Sequence, residues 1–156
     1  MPMIQASEVA DYLIAFSHEH GDPVSNLKLQ KLLYYAQAWH LALFDEPLFN
    51  DRIEAWVHGP VVPSVYRQFK EWAWMPIAKD PERPILDQTI QAHLDDVMDV
   101  YGSMTAYQLE RLTHDEDPWI KARGGIPEDE PSNAVIEQEE MKRFYRSRLH
   151  ESDSTR

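Results

Sequence analysis

Apolar positions recur at helical spacing along most of the chain, and between Asn26 and Phe44 they cover nearly the whole helix. Leu29, Leu32, Leu33, Ala36, Trp39 and Leu43 form one wide stripe. Leu27, Tyr34, Tyr35, Ala38, Leu41 and Ala42 occupy the opposite face, with Lys28 and Lys31 beside Tyr35. A helix apolar on both faces is central, with other elements packed around it. Ser25 is placed to cap it. Ahead of it, Ser7 is read as the cap of a helix to about His20, with Val9, Tyr12, Leu13 and Phe16 at helical spacing and Gly21 and Pro23 at its end. Leu48-Phe49 and Ile53–Val57 read as short strands joined through Asn50-Asp51-Arg52, a β-hairpin between the second and third helices. Pro63 suits the first position of a helix carrying Val65, Tyr66, Phe69 and Trp72. Three prolines make residues 75–86 irregular. Asp87 opens a helix to Tyr101, and Thr105 with Gln108 forms a capping box for a short helix through Leu112. Asp117, read as cap, and Pro118 start one or two turns to Arg123, after a corner at Thr113–Trp119. A last helix runs from about Gln138 to Leu149, and the tail from Glu151 is read as frayed. The expected fold is a mainly α (α+β) single domain over 1–150, about six helices around a central one with a short hairpin, and a disordered tail at 151–156.

Composition narrows the function classes. The 156 residues suit one domain, and seventeen aromatics supply a core. Without cysteine there are no disulfides or thiolate metal sites, which fits a reducing cytoplasm. No apolar run reaches the ~18 residues of a membrane span, and the start lacks a signal-peptide pattern. A net charge of −12 argues against direct nucleic-acid binding and suits a basic partner. Residues 110–140 hold ten acids and three bases, whereas 141–150 hold Lys142, Arg143, Arg146 and Arg148 and no acid.

Three stretches concentrate unusual residues: Leu27–Tyr35, the corner Ala55–Tyr66 (AWVHGPVVPSVY), and Thr113–Arg123 (THDEDPWIKAR). In the corner, Gly59 and Pro60 break the strand and Pro63 keeps Val62 extended. Pro60 and Pro118 are explained by turn geometry. Trp56 and Trp119 suit core packing as well as binding platforms. His58 and His114 suit local hydrogen bonds better than metal. Neither HExxH nor an i, i+4 histidine pair is present, and His18-Glu19-His20 points its rings to different sides. GxSxG and the phosphate-binding glycine loops are absent too. An enzyme therefore has thin support. The reading kept as the alternative is a small metal-dependent or His/Asp hydrolase using His58 and His114 with Asp115 or Asp117.

Together the stretches resemble the Panacea domain of antitoxins, also found in phage-associated proteins. The matching residues are Leu27 through Gln37 (LKLQKLLYYAQ), then Ala55-Trp56 with Gly59-Pro60-Val61-Val62-Pro63 and Val65-Tyr66, then Leu109, Leu112-Thr113-His114, Pro118-Trp119 and Ala122-Arg123. The resemblance spans about residues 5–150. It implies a small mainly helical fold and a non-enzymatic antitoxin of a type II toxin–antitoxin pair. Such a protein neutralises a cognate toxin by direct contact, and one branch acts as an adaptor delivering its toxin to a Clp-type protease. Some members carry an N-terminal helix-turn-helix module, for which this chain leaves no room. No cofactor or metal is expected. Lys28, Lys31, Tyr35, Trp56, His58, Tyr66, His114, Trp119 and Arg123 are expected to converge on one partner-binding groove, the alternative being that they staple the helices to the hairpin.

Overall fold

The computed structural model describes residues 4–154, with side chains through residue 149. The elements in order are α1 (Ala6–Glu19), α2 (Asn26–Phe44), β1 (Glu54–Trp56), β2 (Gly59–Val61), α3 (Pro63–Tyr66) continued by a 3-10 helix (Arg67–Trp72), α4 (Gln88–Tyr101), α5 (Ala106–His114), α6 (Asp117–Arg123) and α7 (Gln138–Ser154). This is a mainly α arrangement with a two-stranded antiparallel sheet. No helix among the described residues is long and apolar enough to cross a membrane. The tail expected at 151–156 lies outside the described side chains, and its last two residues outside the described backbone.

Helix α2 is central, as its two apolar faces demand. It packs against α1, α4, α5, α7, β2 and α3, and Leu29, Leu32, Leu33, Tyr34, Tyr35, Ala36 and Ala38 are fully buried. Burial on every side also encloses its polar residues, and each reaches a backbone group that needs a partner. Gln37 accepts from the N–H groups of Leu48 (2.7 Å) and Phe49 (3.3 Å) and donates to the Phe49 carbonyl at 2.7 Å. Gln30 accepts from Val62 N–H at 2.9 Å and donates to Asn26 Oδ1 at 2.9 Å. Asn26 in turn donates to the Tyr66 carbonyl at 3.1 Å.

These amides correct the hairpin. Leu48-Phe49 is not a strand, because its backbone is held by the Gln37 side chain. The partner of β1 is β2, in the register Glu54↔Val61, Ala55↔Pro60, Trp56↔Gly59. On the other side of β1, Ala55 N–H donates to the Ala134 carbonyl and Ile136 N–H to the Ile53 carbonyl, both at 2.8 Å. The end of the acidic loop thus serves as a third edge.

Three helix starts hold as read: Ser25 Oγ accepts from Lys28 N–H, Asp87 from Thr89 N–H, and Thr105 with Gln108 closes a capping box. Two shift. Helix α1 starts at Ala6 after Gln5, whose N–H donates to Glu8 Oε1 at 3.1 Å, so Ser7 lies inside the first turn. Helix α6 is preceded by Glu116, with Asp117 and Pro118 both in its first turn. The side chain of Glu116 has a different task, described below. The basic face of α7 closes the C-terminal end of α2: Arg146 Nε donates to the Ala42 carbonyl (3.1 Å), and Lys142 and Arg146 flank Asp45 at 2.7 and 3.3 Å. Cations there complement the negative end of the helix dipole.

Candidate functional site

The corner is built from strand β1 downward. A two-stranded ribbon is marginal alone, and the carbonyls of β1 draw side-chain partners from elsewhere. Helix α6 supplies two. Trp119 Nε1 donates to the Trp56 carbonyl at 2.9 Å and Arg123 Nη1 to the Ala55 carbonyl at 3.0 Å. Nη2 of Arg123 also donates to the carbonyls of Pro127 (2.9 Å) and Glu130, tying the acidic loop to the strand. The guanidinium lies 4.7 Å over the Trp119 ring, and the His114 ring stacks on that indole at 3.9 Å.

Lys31 of α2 approaches the corner from within. It is 1 % exposed, and its Nζ donates to the Pro60 carbonyl at 3.3 Å. Burial pulls its pKa down to about 7, with the Glu110 carboxylate opposing. The folded pKa therefore lies below the ordinary 10.5, and between those values the unfolded chain binds the extra proton. Stability from this group rises as pH rises from about 7 towards 10, and below about 7 the full penalty of a buried charge remains. At ~1.4 kcal/mol per pKa unit, wild-type protein should gain roughly 2–3 kcal/mol from Lys31 between pH 7 and 9.5. Urea unfolding of wild type and Lys31→Met at both values checks this. The difference between the two proteins should change by that amount, and parallel pH profiles would show Lys31 to be charged inside the fold. The window ends at 9.5 because burial raises the pKa of tyrosines 12, 34, 35, 101 and 145, whose stabilisation is complete below about 10 and is lost above it.

Tyr35 is fully buried, and its hydroxyl donates to Glu116 Oε1 at 2.6 Å; Tyr145 donates to the same oxygen at 3.0 Å. Desolvation raises the Glu116 pKa, while the two phenol hydrogen bonds oppose that rise. Sequence reasoning missed Glu116. It stands in an acid-rich run, and nothing in that run separates an acid turned inward from those in solvent. Gln30 and Gln37 were missed as well, although a signal was present: two glutamines seven residues apart on a helix with apolar residues on both faces call for buried acceptors and donors.

The nine expected residues divide. Lys31, Tyr35, Trp119 and Arg123 are sealed inside and bind the three stretches together. Lys28 points elsewhere, its Nζ donating to the Gly102 carbonyl at 2.6 Å with Asp22 at 3.9 Å. His114 has a side chain 6 % exposed, held by Glu128 at 2.8 Å through Nδ1. Trp56, His58 and Tyr66 reach the surface. The Trp56 and Tyr66 rings meet edge to face at 5.0 Å, and Trp56 Nε1 donates to Glu54 at 2.9 Å. Trp56 walls an open cleft with Arg52, Glu54, Pro63, Arg67 and residues 131–133. His58 Nδ1 lies 2.8 Å from Glu110, and its ring meets the edge of the exposed Trp74. The carboxylates on His58 and His114 are thus Glu110 and Glu128, not the Asp115 or Asp117 of the hydrolase reading. Among the described residues no group of three or more His, Asp or Glu side chains is placed to hold a metal ion.

No solved structure matches the chain. It is 36 % identical over 129 residues to Antitoxin SocA of Caulobacter vibrioides (strain NA1000 / CB15N), covering 74 % of this chain and 69 % of that protein. Residues 29–120, which run from the central helix through the corner into α6, match the model of the Antitoxin SocA-like, Panacea domain family. The chain with this three-way staple belongs to the SocA-like, Panacea-domain family of antitoxins.

Proposed function

We propose that this protein is the antitoxin of a type II toxin–antitoxin pair, neutralising its toxin by direct protein contact and acting as an adaptor that hands the toxin to a Clp-type protease. The observation that carries the reading is the staple itself in a chain of this family: Lys31, Trp119 and Arg123 converge on the carbonyls of Pro60, Trp56 and Ala55 in one hairpin. That convergence holds Trp56, His58 and Tyr66 outward on a fixed frame. Rigid aromatic side chains over a locked backbone suit anchor positions at an interface. The excess of acids would steer a basic toxin towards the protein.

The test is co-expression with the product of the adjacent gene. That product should arrest growth alone, be rescued by this chain and co-purify with it. Trp56→Ala with Tyr66→Ala should weaken the complex at least tenfold while the helical circular dichroism is kept. A harmless neighbour, or no rescue, would overturn the antitoxin reading. Rescue that is equally effective in cells lacking the Clp protease, with unchanged toxin lifetime, would leave simple sequestration and remove the adaptor role.

A further inference from the structure

The open cleft beside Trp56 is cationic on a chain whose net charge is −12. Arg52 comes from the approach to β1, Glu54 and Trp56 from the strand, Pro63 and Arg67 from the helix after the corner, and residues 131–133 from the end of the acidic loop. Pro63 and Arg67 are four residues apart, so they share one face of that helix. The single acid in the lining, Glu54, is 7 % exposed and has a donor on each oxygen. Its Oε2 accepts from Arg52 Nε at 2.6 Å and its Oε1 from Trp56 Nε1 at 2.9 Å. Asp51 and Glu130, which flank the lining stretches in sequence, stay outside the cleft. Asp51 is taken by Ala6 N–H at 3.1 Å and the Ser64 hydroxyl at 2.7 Å.

One buried carboxylate thus orients both Arg52 and Trp56, and it leaves donors over. Arg52 spends only Nε on Glu54, whereas a guanidinium carries five N–H groups. Among the described residues no hydrogen bond or ion pair takes up the Arg67 guanidinium, whose charge reaches Glu54 only through space. Two positive charges therefore stand against one negative in the same lining. A planar guanidinium fork matches a carboxylate with two parallel hydrogen bonds. An indole anchored by its own N–H offers its ring as a platform for an aromatic or prolyl side chain. At the rim, the N–H and carbonyl groups of Ser132 and Asn133 have no backbone partner among the described residues, which suits an extended peptide lying alongside.

We propose that this cleft receives an extended acidic segment of the protein partner, with a Glu or Asp carboxylate on Arg52 and Arg67 and a Tyr or Pro side chain two residues away on Trp56. Alternate residues of an extended segment point to one side, so both reach the same cleft. Nucleic acid also carries an anion beside a ring, but the excess acid of this chain repels every further phosphate, whereas a short segment brings one or two charges. The inference rests on the antitoxin reading only for the partner's identity, which is then the toxin. The acid excess acts at long range on the partner as a whole, and the cleft acts on one segment after contact.

The probe is a blocked peptide that repeats Pro, Tyr, Ser, Glu twice. Its comparators are the same peptide with Gln in place of Glu and a thymidine oligonucleotide. Titration of the full chain should show the Glu peptide binding at least tenfold tighter than the Gln version, by a margin that shrinks as salt is raised. Arg67→Gln, at an exposed position, should weaken it at least tenfold. Arg67→Lys should recover only part of that loss, because an ammonium has no planar fork. Arg143→Gln, which removes an exposed arginine of α7, should change nothing. Equal binding of the Gln version, no binding of either peptide, indifference to Arg67→Gln, or tighter binding of the oligonucleotide would overturn the proposal. No toxin enters this assay. A harmless neighbouring gene product would therefore remove the antitoxin reading and leave the cleft, and a cleft indifferent to Glu would leave the antitoxin reading standing.

Discussion

Replacing Gly59 by alanine is expected to destabilise the protein by about 2–6 kcal/mol, the sum of two costs of roughly 1–3 kcal/mol each. Gly59 has φ +106, a region that L side chains rarely adopt. A Cβ there would stand 2.5 Å from Lys31 Cε and 3.1 Å from Thr113 Oγ1. A free lysine would move aside, but Lys31 is enclosed and its amine is held on the Pro60 carbonyl. Denaturant titration measures the loss, and a melting temperature lower by on the order of 10 °C should accompany it. The cause is separable. In a Lys31→Ala background the Lys31 part of the steric cost vanishes and only the Thr113 contact remains, so Gly59→Ala should cost at least 1 kcal/mol less than in wild type. Strictly additive losses, within the ~0.5 kcal/mol expected of independent sites, would remove the Lys31 contact from the account.

Arg123→Ala should cost about 3–5 kcal/mol as well, by another route. Arg123 is 2 % exposed, and its guanidinium serves carbonyls of Ala55, Pro127 and Glu130 at once. Its removal takes the donor from the buried Ala55 carbonyl, releases the Pro127 and Glu130 carbonyls of the surface loop, and opens the face of Trp119. Arg123→Lys keeps the charge but loses the planar fork, and should recover less than half of the stability. The loss has a local sign too. The acidic loop is tied to β1 through Pro127 and Glu130, so limited proteolysis of Arg123→Ala under native conditions should cut between residues 126 and 134 before it cuts elsewhere. Cleavage at wild-type rate with a stability loss below about 1 kcal/mol would mean that the loop is held without the arginine.

Both substitutions act on a frame more than on a contact surface, and this bears on how the motif residues are read. A lysine, a tyrosine, a tryptophan and an arginine in three separate stretches look like binding groups because each has a polar end. Here each polar end is spent on backbone or on a buried carboxylate. The surface that remains, Trp56, His58 and Tyr66, is what the frame positions.

Much of the fold was legible because local rules and tertiary packing agree there. A helix apolar on both faces has nowhere to sit but the centre, and α2 sits there. Ser25, Asp87, Thr105 with Gln108, and Gly59 with Pro60 each satisfy a backbone requirement within a few residues, so their positions follow from neighbours in sequence. The pairing of β1 was not legible, since the choice between residues 48–49 and 59–61 was made by Gln37, a side chain eleven or twelve residues away that claims the first pair's backbone. The third edge from residues 134–136 was closed to sequence reasoning for the same reason: it follows a Pro-rich acidic loop whose course is set by Arg123.

For the family and the framework, then, the sequence was sufficient: the order of elements, the central helix and the three stretches follow from periodicity and from turn chemistry that acts over short distances. Tertiary structure alone decided which side chains are tools and which are fasteners. Lys31, Arg123 and Glu116 carry groups that prefer water, and only their surroundings put them inside, where burial and fixed partners set their hydrogen bonds and, for Lys31 and Glu116, their proton affinity.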